Sequence, residues 1–110
     1  MNPAELLYVA FTKYVIALDR ATGTLQWEWL IPDGKRYPAL LVDGDKVFVS
    51  AMGYTYCLDA STGALIWENP LSGYGIGVAC LATQSAHTSS SRAAALAEET
   101  QQQGQQHHHS

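Results

Sequence analysis

The sequence is poor in charged residues and in cysteine, and it lacks any long hydrophobic run. Charged residues make up 15% of its 110 positions, and six Lys and Arg are outnumbered by ten Asp and Glu. Nucleic acids and anionic membranes bind clusters of basic side chains, which this composition does not supply. No segment approaches the roughly 18 consecutive apolar residues of a membrane-spanning helix. We therefore predict that neither nucleic acid nor a membrane is a partner.

The N-terminus and the cysteines together predict a cytoplasmic protein. The first residues, Met1–Glu5, are not the basic stretch that opens a secretory signal, and no long apolar run follows them. Cys57 and Cys80 are the two cysteines, and neither has a His nearby in sequence that would activate its thiol. Both are most simply interpreted as small core residues in a reducing compartment.

Hydrophobic residues nonetheless make up 47% of the chain, enough for one ordered domain, and they belong to an internal repeat. Residues 8–43 align with residues 48–83 without a gap, and eleven of the 36 pairs are identical. Unrelated segments of ordinary composition would share about two. We therefore predict one domain over residues 1–83, built of two repeats at about 6–43 and 46–83, followed by a tail over residues 84–110.

Each repeat has the pattern of short strands separated by turns. The turns Asp19–Gly23 and Asp59–Gly63 combine an Asp that caps its own turn with a Gly that tolerates positive φ. The strands between them are apolar on both faces, which favours sheets packed between similar sheets, as in an all-β propeller built of four-stranded antiparallel blades. The predicted strands are residues 6–11, 14–19, 24–31, 37–42, 46–51, 54–59, 64–67 and 77–83.

One motif occurs in both repeats at the same spacing. Each copy joins a small residue, an Asp, a Thr-Gly pair and a Trp, and the Trp is large enough to wedge between neighbouring blades. The motif resembles the tryptophan-docking motif of the pyrroloquinoline-quinone-type (quinoprotein-like) β-propeller repeat. The resemblance implies that each Trp stacks on a peptide of the next blade and that its ring nitrogen donates to a backbone oxygen. The residues that carry it are Ala17, Asp19, Thr22, Gly23 and Trp27 in the first copy, and Cys57, Asp59, Thr62, Gly63 and Trp67 in the second.

Two blades are too few to close a propeller, which needs about four to eight. The first repeat lacks an innermost strand, and Gly77–Thr83 is a surplus innermost strand after the second repeat. We therefore predict a cyclic homo-oligomer in which each subunit donates Gly77–Thr83 to its neighbour. The resemblance implies eight blades, hence a homotetramer, with a homotrimer of six blades as the next choice. The other interpretation is a fragment of a larger propeller protein.

The sequence holds no catalytic constellation. Quinoprotein dehydrogenases, by resemblance, would need a catalytic Asp, a calcium site, an Arg near the quinone and adjacent cysteines, and no set here matches them residue by residue. Asp43 and Asp45 are better explained by a hairpin turn than by a metal site. Candidates for binding a ligand on the propeller axis are Arg36, Tyr37 and Tyr74, the last within the Gly73–Gly77 segment. No metal site and no cofactor are predicted, although the resemblance leaves pyrroloquinoline quinone open.

These observations favour a non-enzymatic scaffold or binding module that assembles with itself and presents a propeller face to a protein partner. A redox or ligand-binding protein with a quinone or metal on the axis, and an inactive fragment, are the alternatives. The tail over 84–110 is rich in Ser, Ala, Glu and Gln, a low-complexity composition that predicts disorder. Within it, residues 91–99 have the composition of a short helix, and His107–His109 is interpreted as a solvated tract.

Overall fold

The computed structural model describes residues 1–86 and arranges them as two antiparallel β-sheets. The tail segments at 91–99 and His107–His109 lie outside the described residues. The first sheet has the order β1–β2–β3 and the second the order β4–β5–β6–β7. No helix within residues 1–86 is long and apolar enough to cross a membrane. The strands are β1 (Leu6–Ala10), β2 (Tyr14–Asp19), β3 (Leu25–Leu30), β4 (Ala39–Asp43), β5 (Lys46–Ala51), β6 (Tyr54–Asp59) and β7 (Leu65–Asn69).

The two sheets are folded by the same local chemistry. The turn before each outermost strand is closed by Gly23 or Gly63, whose φ angles of 79° and 78° fall where only glycine is unstrained. The pairing of the two last strands shifts register at the same point, after Ala17 in one sheet and after Cys57 in the other. The repeat in the sequence is therefore a repeat in structure, and each unit is a propeller blade, as predicted.

The hydrophobic core lies between the two sheets. The second sheet contributes a face from β5 and β6 that is buried except at Tyr54, which is half-buried, and the first sheet packs β2 and Trp27 of β3 against it. Ile31, which follows β3, is 1% exposed and fills the same interface. Burial of this face accounts for the apolar residues on one side of each sheet only. Apolar side chains such as Leu7 and Phe11 also lie on the outer side of the first sheet, where they are exposed. The core residues of the second sheet are Val47, Val49, Ala51, Tyr56, Leu58 and Ala60.

The number of strands in each blade agrees with the sequence prediction, but the eighth predicted strand does not form. The first sheet has three strands and the second has four. Gly77–Thr83, predicted as a strand, is irregular in the structure apart from an isolated bridge residue at Ala82. A strand is held by hydrogen bonds to a neighbouring strand, and this segment has no such neighbour among residues 1–86. The glycines Gly73, Gly75 and Gly77, which lead into it, also have a low preference for extended structure. The prediction of a strand at this place is wrong for the single chain.

Candidate functional site

The contact between the two blades centres on Trp27. Its side chain is 8% exposed, and its Nε1 donates a hydrogen bond of 3.0 Å to the carbonyl oxygen of Ala60 on the second blade. The hydroxyl of Tyr8 donates to the same oxygen at 2.9 Å, and the Tyr8 and Trp27 rings lie 6.0 Å apart. A large indole is thereby desolvated with its only polar atom satisfied, which is the arrangement that makes buried Trp strongly stabilising.

The indole of Trp27 lies directly on Gly63. A Cβ placed on Gly63 would be 2.5 Å from a carbon of the Trp27 ring, closer than real side chains approach. Gly63 is therefore required twice, for its positive φ and for the space that the ring takes. The docking of a Trp on the Thr-Gly peptide of the next blade, implied by the resemblance, is present in this structure.

The turn that receives Trp27 is held by its own hydrogen bonds. The carboxylate of Asp59 accepts from the backbone N–H of Ser61 at 2.8 Å, and the N–H of Gly63 donates to the Asp59 carbonyl at 2.8 Å. The matching turn of the first blade has the same pattern, since Asp19 accepts from the N–H of Ala21 at 2.9 Å and from Gly23 at 2.7 Å. The two turns thus have one conformation, although only the second has a Trp on it.

The second Trp of the repeat has no blade to dock on among residues 1–86. Trp67 is 45% exposed, so the docking that the resemblance implies for it is not made within the single chain and stays a prediction for an assembled propeller. Its ring is nevertheless held against Phe48, with the centroids 6.3 Å apart and the planes at 42°, close to the 49° of the Tyr8–Trp27 pair. The turn glycine of the first repeat is likewise uncovered, since a Cβ placed on Gly23 would meet no atom within 4 Å.

The same contrast extends over whole sheet faces. Leu7 and Phe11 are 50% and 56% exposed, whereas Val47 and Ala51, one repeat later, are almost fully buried between the blades. We call the outer face of the first sheet, with Leu7, Phe11, Arg20 and Gly23, the acceptor face. We call the outer face of the second sheet, with Phe48, Trp67 and Leu71, the donor face. These two faces are the repeat equivalents of the pair that meets inside the chain.

A groove of about 460 Å³ lies along the donor face. It is formed where the segment after β7 passes over Ser50 and Thr55, and it includes Leu71 and Cys80. Leu71 stands one repeat after Ile31, which is buried between the two sheets. Among residues 1–86, no third sheet covers this groove, although the equivalent position of Ile31 in the first repeat is covered by the second sheet.

The predicted axial residues are not gathered into a site. Tyr37 is 64% exposed with a positive φ, and its N–H donates to the carbonyl of Thr12, while Tyr74 is 85% exposed. Within the part of the chain that the structure describes, no hydrogen bond, ion pair or ring contact joins Tyr74 to Arg36 or Tyr37. A shared ligand on the axis of a closed ring stays a prediction.

The carboxylates and thiols are used locally. Asp43 and Asp45 lie at the hairpin turn between β4 and β5, in which Asp43 pairs with Lys46 and Gly44 has a positive φ of 62°. Asp45 also forms an ion pair with Lys46 at 2.9 Å, and Asp43 accepts hydrogen bonds from Thr83 and Ser85. No group of three potential metal ligands occurs among residues 1–86. Burial raises the pKa of the Cys57 thiol, as expected for a core residue. Cys80, expected to be a core residue as well, is exposed because the segment that carries it does not join a sheet.

Three features of this interface could not be predicted from the sequence. The acceptor of both hydrogen bonds is the backbone oxygen of Ala60, which no side-chain pattern reveals. The position of Tyr8 is occupied by Phe48 in the second repeat, so the Tyr8 hydroxyl is not part of the repeating pattern. Trp29 packs edge-on against Tyr56 at 5.0 Å, yet its position in the second repeat is Asn69.

Comparisons with known proteins agree with this architecture. A protein-family model described as outer membrane protein assembly factor BamB matches residues 12–106. Among solved structures, the crystal structure of BamB from Moraxella catarrhalis matches with a TM-score of 0.56 and 26% sequence identity, over 74% of this chain. The match covers 25% of that protein, so the chain spans about a quarter of its length. A comparison with curated proteins found no match.

Proposed function

The chain belongs to the family of outer membrane protein assembly factor BamB, and from this premise we propose that it is a non-enzymatic scaffold or binding module. It assembles with copies of itself by strand exchange into a closed propeller. The family is described by a role in assembly and not by a reaction, which agrees with the absence of a catalytic constellation from the sequence. The face of the completed propeller would then bind a protein partner.

The observation that supports self-assembly is the unequal strand number of the two blades. The edge strand β1 of the first sheet stands where β5 stands in the second, and β5 has β4 beside it. The only other segment in this repeat position within residues 1–86 is Gly77–Thr83. An open sheet edge beside an apolar face favours pairing with another chain. Donation of this segment to the first sheet of a neighbour would complete two four-stranded blades.

The proposed module works without a bound quinone or metal. The carboxylates of Asp19 and Asp59 cap their turns and that of Asp45 pairs with Lys46, so these acidic groups have structural partners. A visible absorbance or a stoichiometric metal in the purified protein would instead favour the ligand-binding alternative. The cytoplasmic location also stays a prediction. The family description names an outer membrane protein, so fractionation of expressing cells tests whether this chain is found in the cytoplasm or elsewhere.

Deletion of residues 76–110 tests the strand-exchange proposal. The shortened chain keeps both sheets but loses the donated segment, so we expect aggregated or unfolded protein, because β1 and the apolar faces stay open. A chain shortened by residues 87–110 alone is the control and should assemble like the full chain. Circular dichroism and the elution volume provide the readout. If the shorter variant is a soluble, folded monomer, the proposal is wrong.

A further inference from the structure

We propose that Trp67 of one chain docks on the Asp19–Gly23 turn of a second copy, so that the donor face of each subunit covers the acceptor face of the next. This inference rests on the proposed self-assembly and adds the contact that would specify it. The occupant is argued from the chain itself, because the interface between its own two blades is a template for the one between copies. In that template Trp27 lies on Gly63 and donates to Ala60.

The donor side already has the geometry of the template. The Phe48 ring holds Trp67 at nearly the separation and tilt with which Tyr8 holds Trp27. The indole is therefore oriented before any partner binds, which reduces the side-chain entropy that docking would otherwise cost. Leu71 at 37% exposure lies on the same face, where Ile31 is buried in the template.

The acceptor side is likewise formed in advance. Gly23 has the φ of Gly63 within 1°, and the turn around it is closed by the same Asp and Gly hydrogen bonds. The N–H of Arg20 donates to the carbonyl of Glu5 at 2.9 Å, just as the N–H of Ala60 donates to that of Asp45. The carbonyl of Arg20 thus occupies the position from which the Ala60 oxygen accepts the indole N–H.

The contact is head-to-tail and therefore not confined to a pair of chains. The donor and acceptor faces lie on different sheets of one chain, so two copies joined by one such contact leave one donor face and one acceptor face uncovered. Contacts of this kind form a ring when the rotation closes and a filament when it does not. Neighbouring blades of a propeller are related by a rotation about a central axis, and repetition of that rotation from copy to copy closes a ring.

Two differences make the contact between copies weaker than the template. Phe48 stands where Tyr8 stands, so the second hydrogen bond to the acceptor oxygen is missing. The charged side chain of Arg20 replaces the methyl group of Ala60 beside the docked ring. Phe48→Tyr should restore the hydrogen bond and lower the concentration at which the assembly dissociates.

The test compares glycine substitutions with equal backbone strain. Gly23→Ala adds a Cβ that meets nothing in the single chain but would lie within the Trp67 ring of a neighbour. Gly34→Ala, in the segment that follows β3, has the same open surroundings and a similar φ of 70°, and is the matched control. We expect Gly23→Ala and Trp67→Ala each to raise the midpoint concentration of dissociation at least tenfold, and Gly34→Ala to leave it unchanged.

The outcomes separate this inference from the function on which it rests. Sedimentation or light scattering over a dilution series gives the midpoint, and circular dichroism shows that each variant is folded. A wild-type chain that is monomeric at every concentration refutes both proposals. A wild-type assembly that neither Gly23→Ala nor Trp67→Ala weakens would leave strand exchange standing and overturn the docking of Trp67.

Discussion

At the residue scale, the same side chain has a different environment at each end of the chain. Trp27 is buried against Gly63 and hydrogen-bonded to Ala60, whereas Trp67 packs on Phe48 of its own sheet and is 45% exposed, with no further blade over it among residues 1–86. The sequence predicts that both would be docked, because the motif is local and repeats. It does not show which copy has a blade to dock on, since that depends on how many blades follow.

Tyr56 is the residue with the clearest dependence on pH. Its ring is 1% exposed, its hydroxyl has no hydrogen-bond partner among residues 1–86, and burial raises its pKa to about 12. The unfolded chain releases this proton at about pH 10. Below that pH both states are neutral and Tyr56 adds no pH dependence. Between pH 10 and 12 the unfolded state binds fewer protons, so the free energy of unfolding falls as the pH rises.

Tyr56→Phe should remove this alkaline loss of stability. A difference of two pKa units corresponds to about 2 to 3 kcal/mol by pH 12. At neutral pH we expect the variant to be as stable as the wild type or more so, because the lost hydroxyl has no partner to leave unsatisfied. Denaturant unfolding from pH 8 to 12 measures both effects, with Tyr74→Phe as a control at an exposed position. An unchanged alkaline slope would contradict the assignment to Tyr56.

At the element scale, strands with a partner in the chain were predictable and the strand without one was not. The seven strands that form lie within two residues of their predicted bounds, because apolar runs and Asp-Thr-Gly turns are local signals. Gly77–Thr83 has the same place in the repeat as β4, yet it stays irregular apart from Ala82. Strand formation there depends on a free edge such as that of β1, which no local pattern supplies.

The template also predicts the register of the exchanged strand. In the second sheet Leu40 pairs with Val49, and one repeat away these positions correspond to Cys80 and to Val9 of β1. Residues directly opposite on antiparallel strands bring their Cβ atoms to about 4.5–5.5 Å, near the reach of a disulfide. Val9→Cys should therefore form a disulfide with Cys80 of a second chain under mild oxidation, seen as covalent dimers and larger species on a non-reducing gel.

Ala10→Cys is the matched control for this register. It lies next to Val9 on the same edge strand, but its side chain points to the opposite face of the sheet. We expect little cross-linking from it under the same oxidation. Equal cross-linking of both variants would mean random collision of exposed thiols, and the absence of cross-linking from Val9→Cys would contradict the register.

At the scale of the whole molecule, the chain is two neighbouring blades whose outer surfaces match each other. The donor and acceptor faces repeat the two halves of the interface that the chain buries within itself, and large apolar side chains are exposed on both. Exposed apolar faces of this kind mark an interaction surface. The sequence indicated the need for a partner through strand counting, and the structure adds which residues would meet.

The mass of the full chain in solution tests this account most directly. Size-exclusion chromatography with light scattering, and with the absorbance spectrum recorded on the same peak, gives the number of 11.9 kDa chains in each particle. We predict a single colourless species of four chains, or of three if the ring closes with six blades. A folded monomer that persists at high concentration would contradict the central claim that a second copy covers the faces this chain leaves open.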